Sequence, residues 1–212
     1  MFVRTRMTAN PFTVTPDTTV PEASALMKQH NIRHLPVVIG SRVVGVISKG
    51  DVAAALPSAA TSLSASEITY LVSKLKVDQA MTSHPVTIGP DALLEEAAVA
   101  MRDHKIEMLP VVDDGDLVGV ITESAIFDAF VELLGFREPG TRLTLEALDE
   151  PGVLAKVAET MAHHRANIQH IAVYRGQPKS TILLGVNTPN TDELEAELTA
   201  EGFTVLGKLV NP

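Results

Sequence analysis

The sequence predicts an α+β protein in two parts: a pseudo-twofold pair of βαββα repeats, then a smaller domain of ferredoxin-like βαββαβ order. Three observations predict it. Residues 7–52 slide onto 81–126 without a gap, 74 positions apart, with 19 identities in 46 positions. Chance at a fixed register gives roughly one identity in about twenty positions, so this is a duplication. Each copy carries the same succession of strand and helix patterns around Leu35-Pro36-Val37-Val38 and Leu109-Pro110-Val111-Val112. Beyond Arg137-Glu138-Pro139-Gly140 the apolar rhythm changes and the duplication stops.

Within the first copy, Thr13-Val14-Thr15 reads as a short strand ended by Pro16-Asp17. Thr19-Val20-Pro21-Glu22 then opens a helix with a capping box and an early proline, and Ala23, Leu26 and Met27 share one face. Val37–Ile39 and Val43–Ile47 are β-branched strands joined through Gly40-Ser41-Arg42; the second copy has Asp113-Asp114-Gly115-Asp116 at that turn. Such continuous Val/Ile strands are buried on both faces, which a unit of about fifty residues cannot achieve alone. Two copies packed together can. Pro57–Ser62 reads as a linker, and Ser64-Ala65-Ser66-Glu67 as a capping box opening a helix through Leu71, Val72 and Leu75. A further helix through Phe127, Phe130, Val131 and Leu134 stops at Gly135. The expected divisions are 1–60 for the first repeat, 61–76 for linker and helix, 77–138 for the second repeat and 141–212 for the last domain. In that domain Arg142–Leu148, Asn167–Tyr174, Thr181–Val186 and Phe203–Val210 read as strands, and Pro151–His163 and Asp192–Ala200 as helices.

Composition narrows the function. With 45% hydrophobic and 20% charged residues the chain is globular, and no apolar run reaches the 18 or so residues of a membrane helix. The first ten residues lack the apolar core of a secretion signal, so a cytoplasmic location with no membrane association is expected. The absence of cysteine removes disulfides, thiolate metal sites and thiol nucleophiles. A net charge of −9 speaks against a general nucleic-acid binder. That charge is uneven: +3 over residues 1–60, −9 over 61–140 and −3 over 141–212, so the first repeat is the expected source of positive charge for any anion bound in the duplicated half. There is no Walker A loop, Gly-x-Gly-x-x-Gly loop or nucleophile elbow, and no catalytic residues are assigned. His163, His164 and His170 invite a metal reading, but adjacent histidines point to different helix faces and no carboxylate sits at ligand spacing, so no metal site is expected.

The first repeat closes with Gly45-Val46-Ile47-Ser48-Lys49-Gly50-Asp51, a hydroxyl and a carboxylate three residues apart where strand meets helix. Two readings stand side by side. Ser48 can donate to a phosphate while Asp51 accepts from a ribose diol; alternatively Ser48 caps the helix and Asp51 stabilises its first turn. Together with the duplication, these motifs resemble the paired CBS domains of the Bateman module, over residues 1 to about 135. The resemblance implies sheet-to-sheet packing and adenosyl ligands, such as an adenine nucleotide, NAD or S-adenosylmethionine, bound as regulatory ligands rather than prosthetic groups. It assigns Ser48 and Asp51 to one cleft and Thr122 to the other, where the counterpart of Asp51 is Ala125. By the same resemblance Ile106, Glu107 and Met108 wall the first cleft, and Ile32, Arg33 and His34 the second, Arg33 and His34 being either phosphate partners or solvated charges.

Asp149-Glu150-Pro151-Gly152-Val153-Leu154 and Asn167-Ile168 can be ordinary loop chemistry, with Asp149 capping and Pro151 in the first turn. They also resemble the ACT domain, over about 141–212. That resemblance implies amino-acid binding between Gly152, Val153 and Leu154 of one unit and a neighbouring unit, near Asn167 and Ile168, and hence a homodimer through CBS and ACT domains. The order CBS, CBS, ACT resembles the bacterial acetoin-utilisation accessory proteins. It implies a non-catalytic regulator; the alternative is an assembly subunit with decayed ligand sites that acts through a partner enzyme.

Overall fold

In a computed structural model, residues 1–56 and 64–211 are described; the expected linker at 57–62 lies outside them. By their contacts the residues form two compact units, Met1–Ile126 and Phe127–Pro212.

The first unit holds β1 (Thr8–Ala9), α1 (Val20–Gln29), β2 (His34–Ile39), β3 (Arg42–Ser48), α2 (Lys49–Ala55), α3 (Ala65–Lys74), β4 (Thr82–Ser83), α4 (Leu94–His104), β5 (Met108–Asp113), β6 (Asp116–Thr122) and the start of α5 (Glu123–Leu133). Helix α1 begins where the capping box predicts: Thr19 Oγ1 accepts from Glu22 N, and Glu22 Oε2 accepts from Thr19 N at 2.9 Å. Its buried face is Val20, Ala23 and Met27. Helix α3 starts on an equivalent Ser64–Glu67 box. The β2–β3 and β5–β6 hairpins close on two-residue turns, Gly40-Ser41 and Asp114-Gly115, the latter with both φ positive as a primed Asp-Gly turn requires.

One sequence expectation is corrected here. Thr13–Thr15 is no strand: Val14 makes a single parallel bridge to Val37, and Thr15 N donates to Thr18 Oγ1 at 3.1 Å rather than to a neighbouring strand. The missing strands are the two-residue β1 and β4, and each crosses to the other repeat. β1 pairs with β6 through Thr8↔Val120 and Ala9↔Gly119, and β4 pairs with β3 through Gly45↔Ser83 and Val46↔Thr82. The sheets are therefore β1-β6-β5 and β2-β3-β4, each completed by its neighbour.

The segments before the exchanged strands follow the same rule. Val3 N donates to Ala92 O, and Val77 N donates to Thr18 O, both at 2.9 Å. Val3 and Val77 are each wholly buried, Val77 in a core with Val20, Met27, Leu35 and Ile47 of the first repeat. The equivalent Asp17 and Asp91 each meet a cation from the opposite lead segment, Lys76 and Arg4.

The second unit takes in residues 127–138, although the sequence places its boundary at 139–140. The reason is local. His170 Nδ1 meets Leu133 O at 2.9 Å, and Asn211 Nδ2 donates to Phe136 O at 2.8 Å, so the end of α5 and the turn after it are tied to strands of the second unit. Those elements are β7 (Gly140–Leu148), α6 (Val153–His163), β8 (Ile168–Tyr174), β9 (Lys179–Val186), α7 (Asp192–Ala200) and β10 (Thr204–Asn211). Their antiparallel sheet has the order β10-β7-β9-β8, the ferredoxin-like arrangement. Alternate residues Leu143, Leu145 and Ala147 of β7 and Ile182, Leu184 and Val186 of β9 meet Val157 and Met161 of α6 and Leu194 and Leu198 of α7. Period two in the strands and three to four in the helices produce this core.

Candidate ligand-binding clefts

Ser48 ends β3 and caps α2. Its Oγ accepts from Asp51 N at 3.1 Å, while Asp51 Oδ2 accepts from Ser48 N at 2.8 Å and from Ser48 Oγ at 2.7 Å. The capping contacts of the second reading are thus present in the structure. Oδ2 carries all of the Asp51 side chain's hydrogen bonds among the described residues, and Oδ1 is left as an acceptor.

These two residues line a cleft of about 460 Å³ between the repeats, within the usual size range of small-molecule sites. Its opposite wall is Ile106, Glu107 and Met108 of the second repeat. Thr82, His84, Pro85, Val86, His104 and Lys105 also line it. None of these six is marked by the sequence as a site residue, because the exchanged strand that delivers the first four is only two residues long. The one signal is the repeated Met-Thr at 7–8 and 81–82. The lysine of this cleft comes from the second repeat, not from the first as the regional charges suggest.

A second cleft of about 350 Å³ holds Thr122 against Ile32, Arg33 and His34. Ala125 offers only its N–H, which donates to Thr122 Oγ1 at 3.4 Å, and the cleft gains Ser124 and Phe12 instead. His34 and Glu107 border both clefts. Arg33 Nη1 lies 3.4 Å from Glu107 Oε2, and His34 Nε2 lies 3.9 Å from the same oxygen. Burial pushes the His34 pKa below the ordinary imidazole value, against the upward pull of Glu107.

In the second unit Gly152 precedes α6 in the left-handed region, at φ +93°, where a residue without Cβ is favoured. Asp149 does not cap this helix; its carboxylate takes Arg175 Nη1 at 2.7 Å. Gly152 and Leu154 are exposed and Val153 is half-buried. Asn167 N donates to Asn187 Oδ1 at 2.8 Å, and Ile168 pairs with Val186. The chain does not bring the two groups together, since α6, 11 residues and about 16 Å long, separates them.

Among the described residues no group of three or more His, Asp or Glu side chains is arranged to hold a metal. The view that His163 and His164 point apart is nevertheless corrected. Glu197 of α7 takes His163 Nδ1 at 3.1 Å and His164 Nε2 at 2.8 Å. His164 lies at the helix end, where the backbone turns it back toward its neighbour.

The CBS domain model matches residues 3–58 and 76–132, and the ACT domain model matches 141–203. The chain belongs to the CBS-domain family. It carries a tandem CBS pair followed by an ACT domain. The CBS domain-containing protein YhcV of Bacillus subtilis is 31% identical over 67% of this chain and 92% of its own length. An inosine-5′-monophosphate dehydrogenase of Korarchaeum cryptofilum is 34% identical over 66% of this chain, but the match spans only 26% of that enzyme.

Among solved structures, an acetoin utilization protein (AcuB) of Vibrio cholerae is 32% identical, over 65% of this chain and 96% of that one, with a TM-score of 0.54. The CBS pair of protein MJ0100, in complex with 5′-methylthioadenosine and S-adenosylmethionine, is 27% identical over 62% of this chain and 97% of that one, with a TM-score of 0.52. CBSX2, known from Arabidopsis thaliana and solved in complex with AMP, is 30% identical over the same shares, with a TM-score of 0.53. No helix among the described residues is long and apolar enough to cross a membrane.

Proposed function

We propose that this protein is a non-catalytic regulatory sensor that binds an adenosyl compound in the cleft of Ser48 and Asp51. The observation that carries the reading is the convergence of that hydroxyl and carboxylate with Ile106, Glu107 and Met108 across one cleft. Asp51 Oδ1 is the acceptor for a ribose hydroxyl, Ser48 the donor toward a phosphate, and Ile106 and Met108 the apolar wall for a base. Adenosyl ligands in the CBS pairs of MJ0100 and CBSX2 support this reading.

The ACT domain, in the same proposal, binds an amino acid between Gly152–Leu154 of one copy and Asn167–Ile168 of another, in a cytoplasmic homodimer that regulates a partner enzyme. Thermal-shift screening of the whole protein with AMP, ADP, ATP, NAD, S-adenosylmethionine and the common amino acids tests it. A true ligand stabilises by about 2.7 kcal/mol at a hundredfold excess over its Kd.

A second reading has one observation in its favour: Ser48 and Asp51 already satisfy each other. An assembly subunit with decayed clefts would show no stabilisation by any of these compounds.

A further inference from the structure

The two clefts are built from equivalent positions, so each is an internal control for the other. They differ where Asn10 and Asn31 of the second cleft become His84 and Lys105 of the first. All four have left-handed backbones, with φ of +49°, +52°, +51° and +55°. Asparagine adopts that region readily and histidine tolerates it, but a long side chain such as lysine is disfavoured there. The first cleft therefore keeps a cation at a position where its own sister repeat shows the less strained choice.

The remaining charges agree. The acidic groups of the first cleft are Asp51, engaged with Ser48, and Glu107, which faces Arg33. Its other ionisable side chains are Lys105, His34, His84 and His104, with His84, His104 and Lys105 exposed. The second cleft has Arg33, His34 and Glu107 alone, and there Arg33 is already drawn to Glu107.

We propose that Lys105 and His84 make the Ser48–Asp51 cleft selective for a phosphorylated adenosyl ligand, a nucleotide, over uncharged or cationic adenosyl compounds. This rests on the sensor reading above and adds the ligand's charge class to it. A ribose hydrogen-bonded to Asp51 leaves that negative charge at the ribose end, Arg33 offsets Glu107, and Lys105 is the cation of this cleft with no carboxylate partner among the described residues. A phosphate answers it; a sulfonium does not.

Calorimetry of the full chain with AMP and with 5′-methylthioadenosine, which shares the adenosine but lacks phosphate, tests the proposal. Wild type is expected to bind AMP at least about tenfold more tightly, charge-assisted contacts being worth roughly that much or more. The double variant Lys105→Asn with His84→Asn installs the residues that the sister repeat carries in the same backbone conformation. It is expected to lose on the order of tenfold to a hundredfold in AMP affinity and to keep its affinity for 5′-methylthioadenosine. Equal affinities in wild type, or a variant that weakens both ligands alike or neither, would overturn the phosphate assignment while leaving the adenosyl sensor standing. Binding of neither compound to wild type would overturn the sensor reading as well.

Discussion

On the proposed reading Asp51 has two tasks at once, and its substitution separates them. Replacing it with alanine removes the carboxylate half of the capping box at α2, expected to destabilise the ligand-free protein by about 1 kcal/mol. On the sensor reading it also removes a ribose acceptor and weakens ligand binding by roughly tenfold or more. Urea melts report the first effect and calorimetry the second; loss of stability with unchanged affinity would leave Asp51 a cap alone. Ala125→Asp is the reverse experiment, adding a cap to Thr122 and an acceptor to the second cleft, and a gain of a few tenths to about 1 kcal/mol in the same melts is expected. A different carboxylate contributes to the acid limb. Hydrogen bonds from His163 and His164 hold Glu197 below the ordinary carboxylate pKa. A carboxylate depressed in the folded state stabilises above its unfolded value, near 4.5, and loses that contribution as pH falls through the native value. Glu197→Gln should therefore lower Tm at pH 7 and converge with wild type in strong acid. A Tm difference that persists undiminished in strong acid would contradict this.

At the scale of elements, the exchanged strands rest on close approach to glycine. A Cβ on Gly119 would lie 2.8 Å from Met7 Sδ and 3.0 Å from Thr8 O, and one on Gly45 would crowd Met81 and Thr82 O in the same way. Gly45→Ala and Gly119→Ala should each push a crossing strand away and destabilise by about 1–3 kcal/mol, the usual range for overpacking. Equal effects in denaturant melts would show that the two exchanges are equivalent; a neutral result would mean that Met7 or Met81 simply moves aside. The hairpins, the capped helices and the ferredoxin-like order were legible because each has a local signature: β-branched runs around Gly40-Ser41, Thr19 with Glu22, and alternation in Leu143, Leu145 and Ala147. The exchanged strands were not. Two residues are too few for periodicity to register, and nothing in Thr8-Ala9 or Thr82-Ser83 announces a partner in the other repeat. The cleft was legible to the same degree. Ser48 and Asp51 lie in one local motif, whereas His84 arrives through the exchange, and Lys105 is set apart by a backbone angle that no residue type announces.

For the whole molecule, the separation of Gly152 from Asn167 by the length of α6 would, on the proposed reading, make amino-acid binding a property of an assembly. On the proposed reading, such binding should appear only at concentrations where sedimentation shows a dimer. Gly152→Asp, adding bulk and negative charge beside the helix start, should abolish it; binding by a monomer would place the site elsewhere. The duplicated half has its own dependence on distant chain, and this bears on how the protein is made. During synthesis Thr8 and Ala9 emerge early, yet the β6 residues they pair with, Val120 and Gly119, are added only after both hairpin strands of the first repeat are complete. The first repeat likewise waits for Val77 and Thr82 to cover its core and its sheet edge. The first repeat can complete its sheet only once Thr82 and Ser83 have emerged, and the opening residues can meet their partner strand only once the end of the second hairpin has cleared the ribosome, so the two exchanges become possible in that order.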